Sequence, residues 1–194
     1  MHWLRSQFAV YSIEDLVALD TPWWTYKAID EVESWLEQRP KTVVFEWGSG
    51  ASTVWLQKRA TSVTSVEHDE TFSSIVQPYL GDNSTLLVRP GVSSEHPRIG
   101  SAKRGFTQLD FTAYVEAIDE VEGKFDLIVI DGRARSVCLE RATSRLNDGG
   151  IIVFDNSHRR RYQDALGGTH LRLSRTRGLT PASPYPTETS LLRR

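Results

Sequence analysis

The sequence predicts an α/β protein with a doubly wound, mostly parallel β-sheet and a helical cap at its N-terminus. Short apolar runs rich in β-branched residues alternate with segments of helical periodicity, which is the pattern of a sheet covered by helices on both faces. The clearest runs are continuously apolar, as expected for strands buried on both sides. With 194 residues and no evident linker, we expect a single domain with a cap at 1–40, a core at 41–156 and C-terminal strands at 157–194.

Two helices are predicted in the cap. The first covers residues 12–20, with Ser12 as its N-cap and acidic residues in its first turn. The second covers residues 21–40, where Thr21 is a suitable N-cap and Pro22 suits the first helical position. Its apolar residues recur at helical spacing: Trp24, Ala28, Val32, Trp35 and Leu36. Trp23 and Trp24 either close over a ligand or seal the cap onto the sheet.

Five strands alternate with four helices in the predicted core. The strands are expected at residues 41–46, 61–69, 84–90, 124–131 and 151–156, and the helices at residues 51–60, 70–80, 110–123 and 135–150. Gly149 and Gly150 are predicted to close the last of these helices. The polar, aperiodic segment 91–108 is predicted to be a long loop, which is typical of a functional or mobile segment. Two late strand-like segments, 170–178 and 189–194, are separated by a proline-rich loop.

The composition excludes several classes of protein. No apolar run reaches the ~18 residues of a membrane span, and the single cysteine, Cys138, allows no disulfide within the chain. A P-loop and a cysteine–histidine metal cluster are absent from the sequence. Because the first residues lack the features of a signal peptide, we expect a cytoplasmic protein. The absence of a membrane span and the formal net charge of −2 predict that it binds neither membranes nor nucleic acid. A homodimer and a monomer both remain open.

Acidic residues end four of the five predicted core strands: Glu46, Glu67, Asp131 and Asp155. In an open parallel sheet, ligands bind at the carboxyl ends of the strands, so these acids are expected to meet at one site. Gly48 and Gly50 follow the first strand, where the absence of side chains lets a ligand approach the backbone. Glu67 lies 17 residues beyond Gly50 and can accept hydrogen bonds from both ribose hydroxyls, which favours a nucleoside-containing ligand.

The identity of that ligand depends on Thr53 and Glu46. A dinucleotide site has a third small residue where this chain has Thr53. The Glu46 carboxylate would also not attract a negatively charged pyrophosphate. It would attract the positively charged ammonium and sulfonium groups of S-adenosylmethionine. The alternatives are a nicotinamide-dependent oxidoreductase on the same scaffold and a non-catalytic nucleoside-binding module.

The segments "FEWGSGAST", "SVEHD", "FDLIVIDG" and "GGIIVFDN" resemble motifs of the class I S-adenosylmethionine-dependent methyltransferases. The resemblance implies a seven-stranded sheet of order 3-2-1-4-5-7-6 with the last strand antiparallel. It also implies that the methionine part of the cofactor lies against Glu46, Gly48, Ser49, Gly50, Ser52 and Thr53. Glu67 would then hold the ribose, His68 would pack near the adenine, and Asp131 would lie beside the sulfonium.

A narrower resemblance is to the metal-dependent catechol-type O-methyltransferases. It implies that Asp131, Asp155 and Asn156 bind Mg²⁺ or another divalent cation, which would orient a substrate hydroxyl and lower its pKa. The alternative is that the same side chains hydrogen-bond the cofactor or cap the next turn. The sequence after Asp131, "DGRAR", departs from the catechol-type pattern and would bring Arg133 or Arg135 close to the dication.

The predicted reaction is methyl transfer to a hydroxyl of a small-molecule or sugar acceptor, with Asp131, Asp155 or His158 assisting deprotonation. From residue 157 onward the chain carries eight arginines against two acids, although the formal net charge of the whole chain is −2. This basic end, which includes Arg159–Arg161 and Tyr162, either contacts an anionic substrate or forms a solvated surface.

Overall fold

A computed structural model describes residues 13–181 and 183–194 of the protein. Its helices are α1 (Ile13–Ala18), α2 (Tyr26–Glu37), α3 (Ala51–Gln57), α4 (Glu70–Val76), α5 (Thr112–Glu116), α6 (Arg135–Arg145) and α7 (Gln163–Gly168). Its strands are β1 (Val43–Trp47), β2 (Ser62–Glu67), β3 (Ser84–Val88), β4 (Val92–Ser93), β5 (Leu109–Asp110), β6 (Phe125–Ile130), β7 (Leu146–Asp155), β8 (Arg172–Thr180) and β9 (Ser183–Arg193). Short 3₁₀ turns lie at Gln77–Tyr79, Ala117–Glu120 and Arg160–Tyr162.

Seven strands form one sheet in the order β3-β2-β1-β6-β7-β9-β8. The first five in this order run parallel, and β9 is antiparallel to both β7 and β8. The short strands β4 and β5 pair with each other outside the main sheet. The predicted order 3-2-1-4-5-7-6 is therefore confirmed, with β6, β7, β8 and β9 as its fourth to seventh strands.

The continuously apolar strands are buried because each contributes to cores on both faces of the sheet. In β1, Val44 packs in the core that includes α2 and α3, whereas Phe45 and Trp47 pack in the core that includes α5 and α6. Strands β6 and β7 alternate in the same way. This double cover leaves the carboxyl ends of the strands as the open edge of the sheet.

The second cap helix starts later than predicted. Thr25, not Thr21, is the N-cap of α2, and its hydroxyl accepts a hydrogen bond from the Ala28 amide at 3.4 Å. The same hydroxyl lies 2.5 Å from the Thr176 hydroxyl of β8, so contact with the distant hairpin determines where the helix begins. The first cap helix forms as α1, and its predicted cap Ser12 lies outside the described residues.

The prediction that Gly149 and Gly150 close a helix is wrong. Helix α6 ends at Arg145 and β7 begins at the next residue. Both glycines lie within β7, where the pairing with β6 shifts register, and Gly149 has a φ of +72°. A Cβ at Gly150 would lie 2.9 Å from the Asp126 carbonyl oxygen. The glycines thus allow an irregularity in the strand and a close approach to β6.

The C-terminal hairpin is longer than predicted. The proline-rich segment belongs to β9, which starts at Ser183 and pairs with β8 almost along its full length. The long loop 91–108 also contains β4, which pairs with β5 just beyond the end of the loop, although most of the loop is irregular. Within residues 13–181 and 183–194, no helix has both the length and the apolarity needed to span a membrane.

Candidate active site

A cleft of about 930 Å³ lies at the carboxyl ends of β1, β2, β6 and β7. Its walls come from the turn after β1 (48–52), the end of β2 (67–69), and the segments after β6 (131–133) and β7 (155–159). Trp23 and Phe72 also line it. Trp23 is 41% exposed, whereas Trp24 is fully buried and packs edge-on against Trp55. Of the two tryptophans, one therefore faces the cleft and the other seals the cap onto the sheet.

The two glycines of the first turn have different roles. Gly48 has a φ of +100°, and a Cβ there would lie 2.9 Å from the Gly132 backbone nitrogen. It thus allows the loops after β1 and β6 to contact each other. A Cβ at Gly50 would meet only the Phe72 ring, at 3.8 Å. Gly50 is consequently the glycine whose missing side chain leaves space in the cleft.

Glu46 lies beneath the turn and not in the cleft wall. It is fully buried, and its carboxylate accepts hydrogen bonds from the hydroxyls of Ser52 at 2.5 Å, Thr53 at 2.6 Å and Ser65 at 2.7 Å. The Thr53 hydroxyl in turn accepts from the Gly50 amide at 3.0 Å. Burial raises the pKa of Glu46 to about 7.

Both Glu46 and Thr53 thus help to build the turn, and their contact with the methionine part of a cofactor stays a prediction. Where a dinucleotide site has a third small residue, this chain has Thr53, whose hydroxyl holds the turn together. Ser52 lines the cleft, but its hydroxyl donates to Glu46.

Glu67 lies in the cleft wall, where the sequence placed it. One carboxylate oxygen accepts from the Ser49 amide at 3.2 Å and the Ser49 hydroxyl at 3.3 Å. The other accepts from the backbone amides of His68 at 2.7 Å and Asp69 at 2.9 Å. These backbone donors hold the carboxylate in one orientation at the end of β2, next to the turn that carries Gly50.

His68 connects Glu67 to Arg133, a residue to which the sequence assigned no role in binding. Arg133 Nε donates to His68 Nε2 at 3.1 Å, and since a guanidinium only donates, Nε2 carries no proton. The other ring nitrogen, Nδ1, lies 2.5 Å from a Glu67 carboxylate oxygen. Phe106, from the long loop, packs against the His68 ring with centroids 5.7 Å apart.

Arg135 lies between the acids that end β6 and β7. Its side chain is 6% exposed and its guanidinium is 2.8 Å from an Asp131 carboxylate oxygen and 3.8 Å from one of Asp155. It also donates to the backbone carbonyls of Asp131, Gly132 and Asp155. Burial raises the pKa of both carboxyls, and the positive charge of Arg135 opposes that shift.

The remaining predicted residues are divided between cleft and core. His158 and Asn156 line the cleft, and Asn156 has a left-handed φ of +53°. His158 is exposed. Its remaining burial and the nearby Arg159 lower the pKa of its ring, which is therefore neutral near pH 7 and can accept a proton. Cys138, the single cysteine, is buried in the core.

A family model described as a methyltransferase domain matches residues 45–157, which span the strands and turns that form the cleft. The chain belongs to the class I methyltransferase family. A search of curated protein sequences gave no significant match.

Several solved methyltransferase structures share the fold. An O-methyltransferase from Bacillus cereus, solved with S-adenosylhomocysteine, is 14% identical with a TM-score of 0.67, over 94% of this chain and 90% of that one. The O-methyltransferase TomG from Streptomyces achromogenes, solved with S-adenosylmethionine, is 13% identical with a TM-score of 0.59, over 84% of this chain and 77% of that one. An rRNA methylase from Streptococcus thermophilus is 14% identical with a TM-score of 0.58, over 84% and 94% of the two chains.

The predicted metal ligands of this methyltransferase, Asp131, Asp155 and Asn156, do not fit a divalent cation in this arrangement. The guanidinium of Arg135 takes the position between the two carboxylates, and arginine stays charged at any accessible pH. A dication there would meet a buried positive charge. Within the described part of the chain, no group of three or more His, Cys, Asp and Glu could hold a metal ion. The "DGRAR" departure from the catechol-type pattern was the sequence signal for this difference.

Proposed function

We propose that this methyltransferase transfers the methyl group of S-adenosylmethionine to a hydroxyl of a small-molecule or sugar acceptor. The observation that carries the proposal is the position of Glu67 beside the Gly50 turn, in a cleft that continues to Asp131 and His158. A fixed carboxylate at the end of the second strand suits the two ribose hydroxyls of the cofactor. The O-methyltransferases of similar fold that were solved with S-adenosylmethionine or its demethylated product support the same use of the cleft.

When bound, the cofactor supplies an electrophilic methyl group on a positively charged sulfur. Asp131 is half-buried at the cleft wall and would offer negative charge to that sulfur. The acceptor hydroxyl has to lose a proton during the transfer, and His158 is suited to take it because its ring is neutral and exposed to the cleft. Asp155 is less suited, since its carboxylate is hydrogen-bonded to Thr189 at 2.8 Å.

No step in this proposal is routed through a metal ion. Arg135 supplies a permanent positive charge where a catechol-type enzyme would place a dication, and it holds Asp131 in place through a 2.8 Å ion pair. Much of the rate enhancement then comes from holding the hydroxyl in line with the methyl group.

Calorimetric titration with S-adenosylmethionine tests the proposal. We expect the wild-type chain to bind the cofactor and Glu67→Gln to bind it about ten- to a hundredfold more weakly, because a charged acceptor for the ribose is lost. Glu70→Gln is the matched control, since Glu70 is exposed at the start of α4 and does not line the cleft. Wild-type protein that is folded but does not bind millimolar cofactor would contradict the proposal.

Transfer to the acceptor is tested separately, by incubating the protein with labelled cofactor and a panel of hydroxyl-bearing acceptors. We expect transfer to at least one acceptor and its loss in His158→Ala, with cofactor affinity retained. Binding without transfer to any acceptor would favour the non-catalytic nucleoside-binding module. Tight binding of NADH would favour the oxidoreductase, an alternative that gains no support from the family match.

A further inference from the structure

A second, smaller cavity of about 120 Å³ adjoins the cofactor cleft. Three segments line it, namely residues 100–103 of the long loop, residues 132–137 after β6, and Arg159, Arg161 and Tyr162 after β7. It shares Gly132 and Arg133 with the cleft, among other residues, so the two spaces are neighbours. The small cavity lies on the side of the cleft formed by the ends of β6 and β7, where an acceptor would bind.

Five positively charged side chains line this cavity. Arg135 forms ion pairs with Asp131 and Asp155, and the other four are Lys103, Arg133, Arg159 and Arg161. Within the described part of the chain, no carboxylate lies within ion-pair distance of any of these four. Other arginines behave differently, since Arg141 and Arg145 both pair with Asp119. The four residues come from three separate segments, so their convergence is a product of the fold.

Aromatic rings hold three of these cations in place. The Lys103 ammonium lies 5.2 Å and the Arg133 guanidinium 4.6 Å from the centroid of the Phe106 ring. Arg161 lies 4.9 Å from the centroid of the Tyr162 ring. Stacking fixes a guanidinium while leaving its N–H edge free to donate, which suits recognition of a planar or tetrahedral oxyanion.

The positive charges of the cluster act on one another. Burial lowers the pKa of Lys103, and the nearby positive charges of Arg133, Arg159 and Arg161 lower it further. The cavity also includes the first turn of α6, whose N-cap Ala134 has a φ of +48° and offers no side-chain acceptor to the free amides. All of these groups are donors or positive charges.

We propose that this cavity binds the phosphate group of a phosphorylated small-molecule acceptor, whose hydroxyl lies in the adjoining cleft near His158. The proposal rests on the methyl-transfer function proposed above and adds the chemical class of the acceptor. A phosphate monoester brings close to two negative charges and three acceptor oxygens, which match the converging cations and amides better than a carboxylate does. The cavity suits one such group, and a length of nucleic acid would need a longer basic surface.

Titration of the full chain with inorganic phosphate at low ionic strength tests the proposal. We expect Lys103→Ala and Arg161→Ala each to weaken phosphate binding about tenfold, because each removes one charge-assisted contact. Arg160→Ala is the matched control, since Arg160 is exposed between Arg159 and Arg161 but does not line the cavity. Equal binding by all four proteins, or equal loss in the control, would overturn the proposal.

Titration of the same samples with S-adenosylmethionine separates this proposal from the proposed function. Retained cofactor affinity in both cavity variants, together with weaker phosphate binding, supports the phosphate site in an intact fold. A wild-type chain that binds cofactor but no phosphate overturns the cavity proposal and leaves the methyl-transfer function standing. A wild-type chain that binds phosphate but no cofactor contradicts the methyl-transfer function and leaves phosphate binding by the cavity standing.

A short single-stranded RNA serves as the competing probe, because one protein of similar fold is an rRNA methylase. We expect the RNA to bind no more tightly than a phosphorylated sugar. Much tighter RNA binding that Arg160→Ala also weakens would indicate an extended nucleic-acid surface and would overturn the small-molecule assignment.

Discussion

At the scale of single residues, Glu46 shows that burial can give an acid at a strand end a structural role in place of a binding role. The sequence suggested a ligand contact, but the carboxylate is enclosed by three hydroxyls from α3 and β2. Glu67, at the end of the next strand, remains at the cleft surface with its orientation set by backbone amides. The two acids look alike in sequence, and only their surroundings separate a structural role from a binding role.

The raised pKa of Glu46 predicts a pH dependence of stability. Its folded-state pKa of about 7 lies above the ordinary 4.5, so the folded chain binds this proton more tightly than the unfolded chain. The associated stability is present below about pH 4.5 and is lost as the pH rises through 7. Relative to Glu46→Gln, the wild type should lose about 3 kcal/mol of unfolding free energy across that range.

Urea unfolding of both proteins at pH 5 and pH 8 measures this effect. Burial also raises the pKa of Asp155. Because Asp155 titrates in both proteins, its effect on the free energy of unfolding largely cancels when the two are compared. A wild-type-to-variant difference that is the same at both pH values would show that Glu46 titrates normally.

At the scale of elements, the turn from β1 to α3 combines two kinds of glycine. Gly48 is required by a positive φ and by contact with the backbone after β6, whereas Gly50 faces the cleft. The turn is held by the Gly50 amide hydrogen bond to Thr53, and through Thr53 by Glu46. Its shape is therefore built into the fold before any ligand binds.

Alanine substitutions should separate these two roles. Gly48→Ala combines backbone strain with a clash at 2.9 Å, so we expect a loss of about 2–5 kcal/mol of stability. Gly50→Ala creates only an ordinary contact at 3.8 Å and should change stability by less than about 1 kcal/mol.

Cofactor affinity provides the second measurement for this pair. Gly50→Ala should bind S-adenosylmethionine more weakly, because its methyl group enters the cleft. Unchanged affinity in Gly50→Ala, or equal destabilisation by both substitutions, would contradict the assigned roles.

At the scale of the whole molecule, the sheet order brings together residues that are far apart in the chain. Arg135 from α6 joins the ends of β6 and β7, and Thr189 from β9 donates to Asp155 at 2.8 Å. The C-terminal hairpin also anchors the cap through the Thr25–Thr176 contact. The site consequently depends on the completed sheet and not on one segment.

The position of Arg135 predicts that a divalent cation can bind between Asp131 and Asp155 once the guanidinium is removed. Removing it leaves Asp131 and Asp155 without a counter-charge, so Arg135→Ala should lose about 3–5 kcal/mol of stability. Millimolar Mg²⁺ should raise the melting temperature of Arg135→Ala, because the freed carboxylates can bind a dication, and should leave the wild type unchanged.

Arg141→Ala is the control for this experiment. Arg141 lies on the same helix but forms exposed ion pairs with Glu116 and Asp119. Stabilisation of the wild type by Mg²⁺ would show that the cation site coexists with Arg135 and would contradict the assignment.

The strand order was predicted from the resemblance to the methyltransferase family. From its residues alone, the sequence determined the doubly wound class and the strand ends that form the cleft. These features follow from local periodicity, β-branched runs and turn residues, which act over a few positions of the chain. Helix and strand boundaries at 25–26, 145–146 and 183 did not follow from it, because distant strands and close backbone contacts determine them.

Only the tertiary structure decided which side chains face the cleft. It buried Glu46, placed Arg135 between two carboxylates and brought Lys103, Arg133 and Arg161 to one cavity. The direction of a side chain and its neighbours depend on how strands far apart in sequence pair and on what packs above them. No spacing within a single segment contains that information.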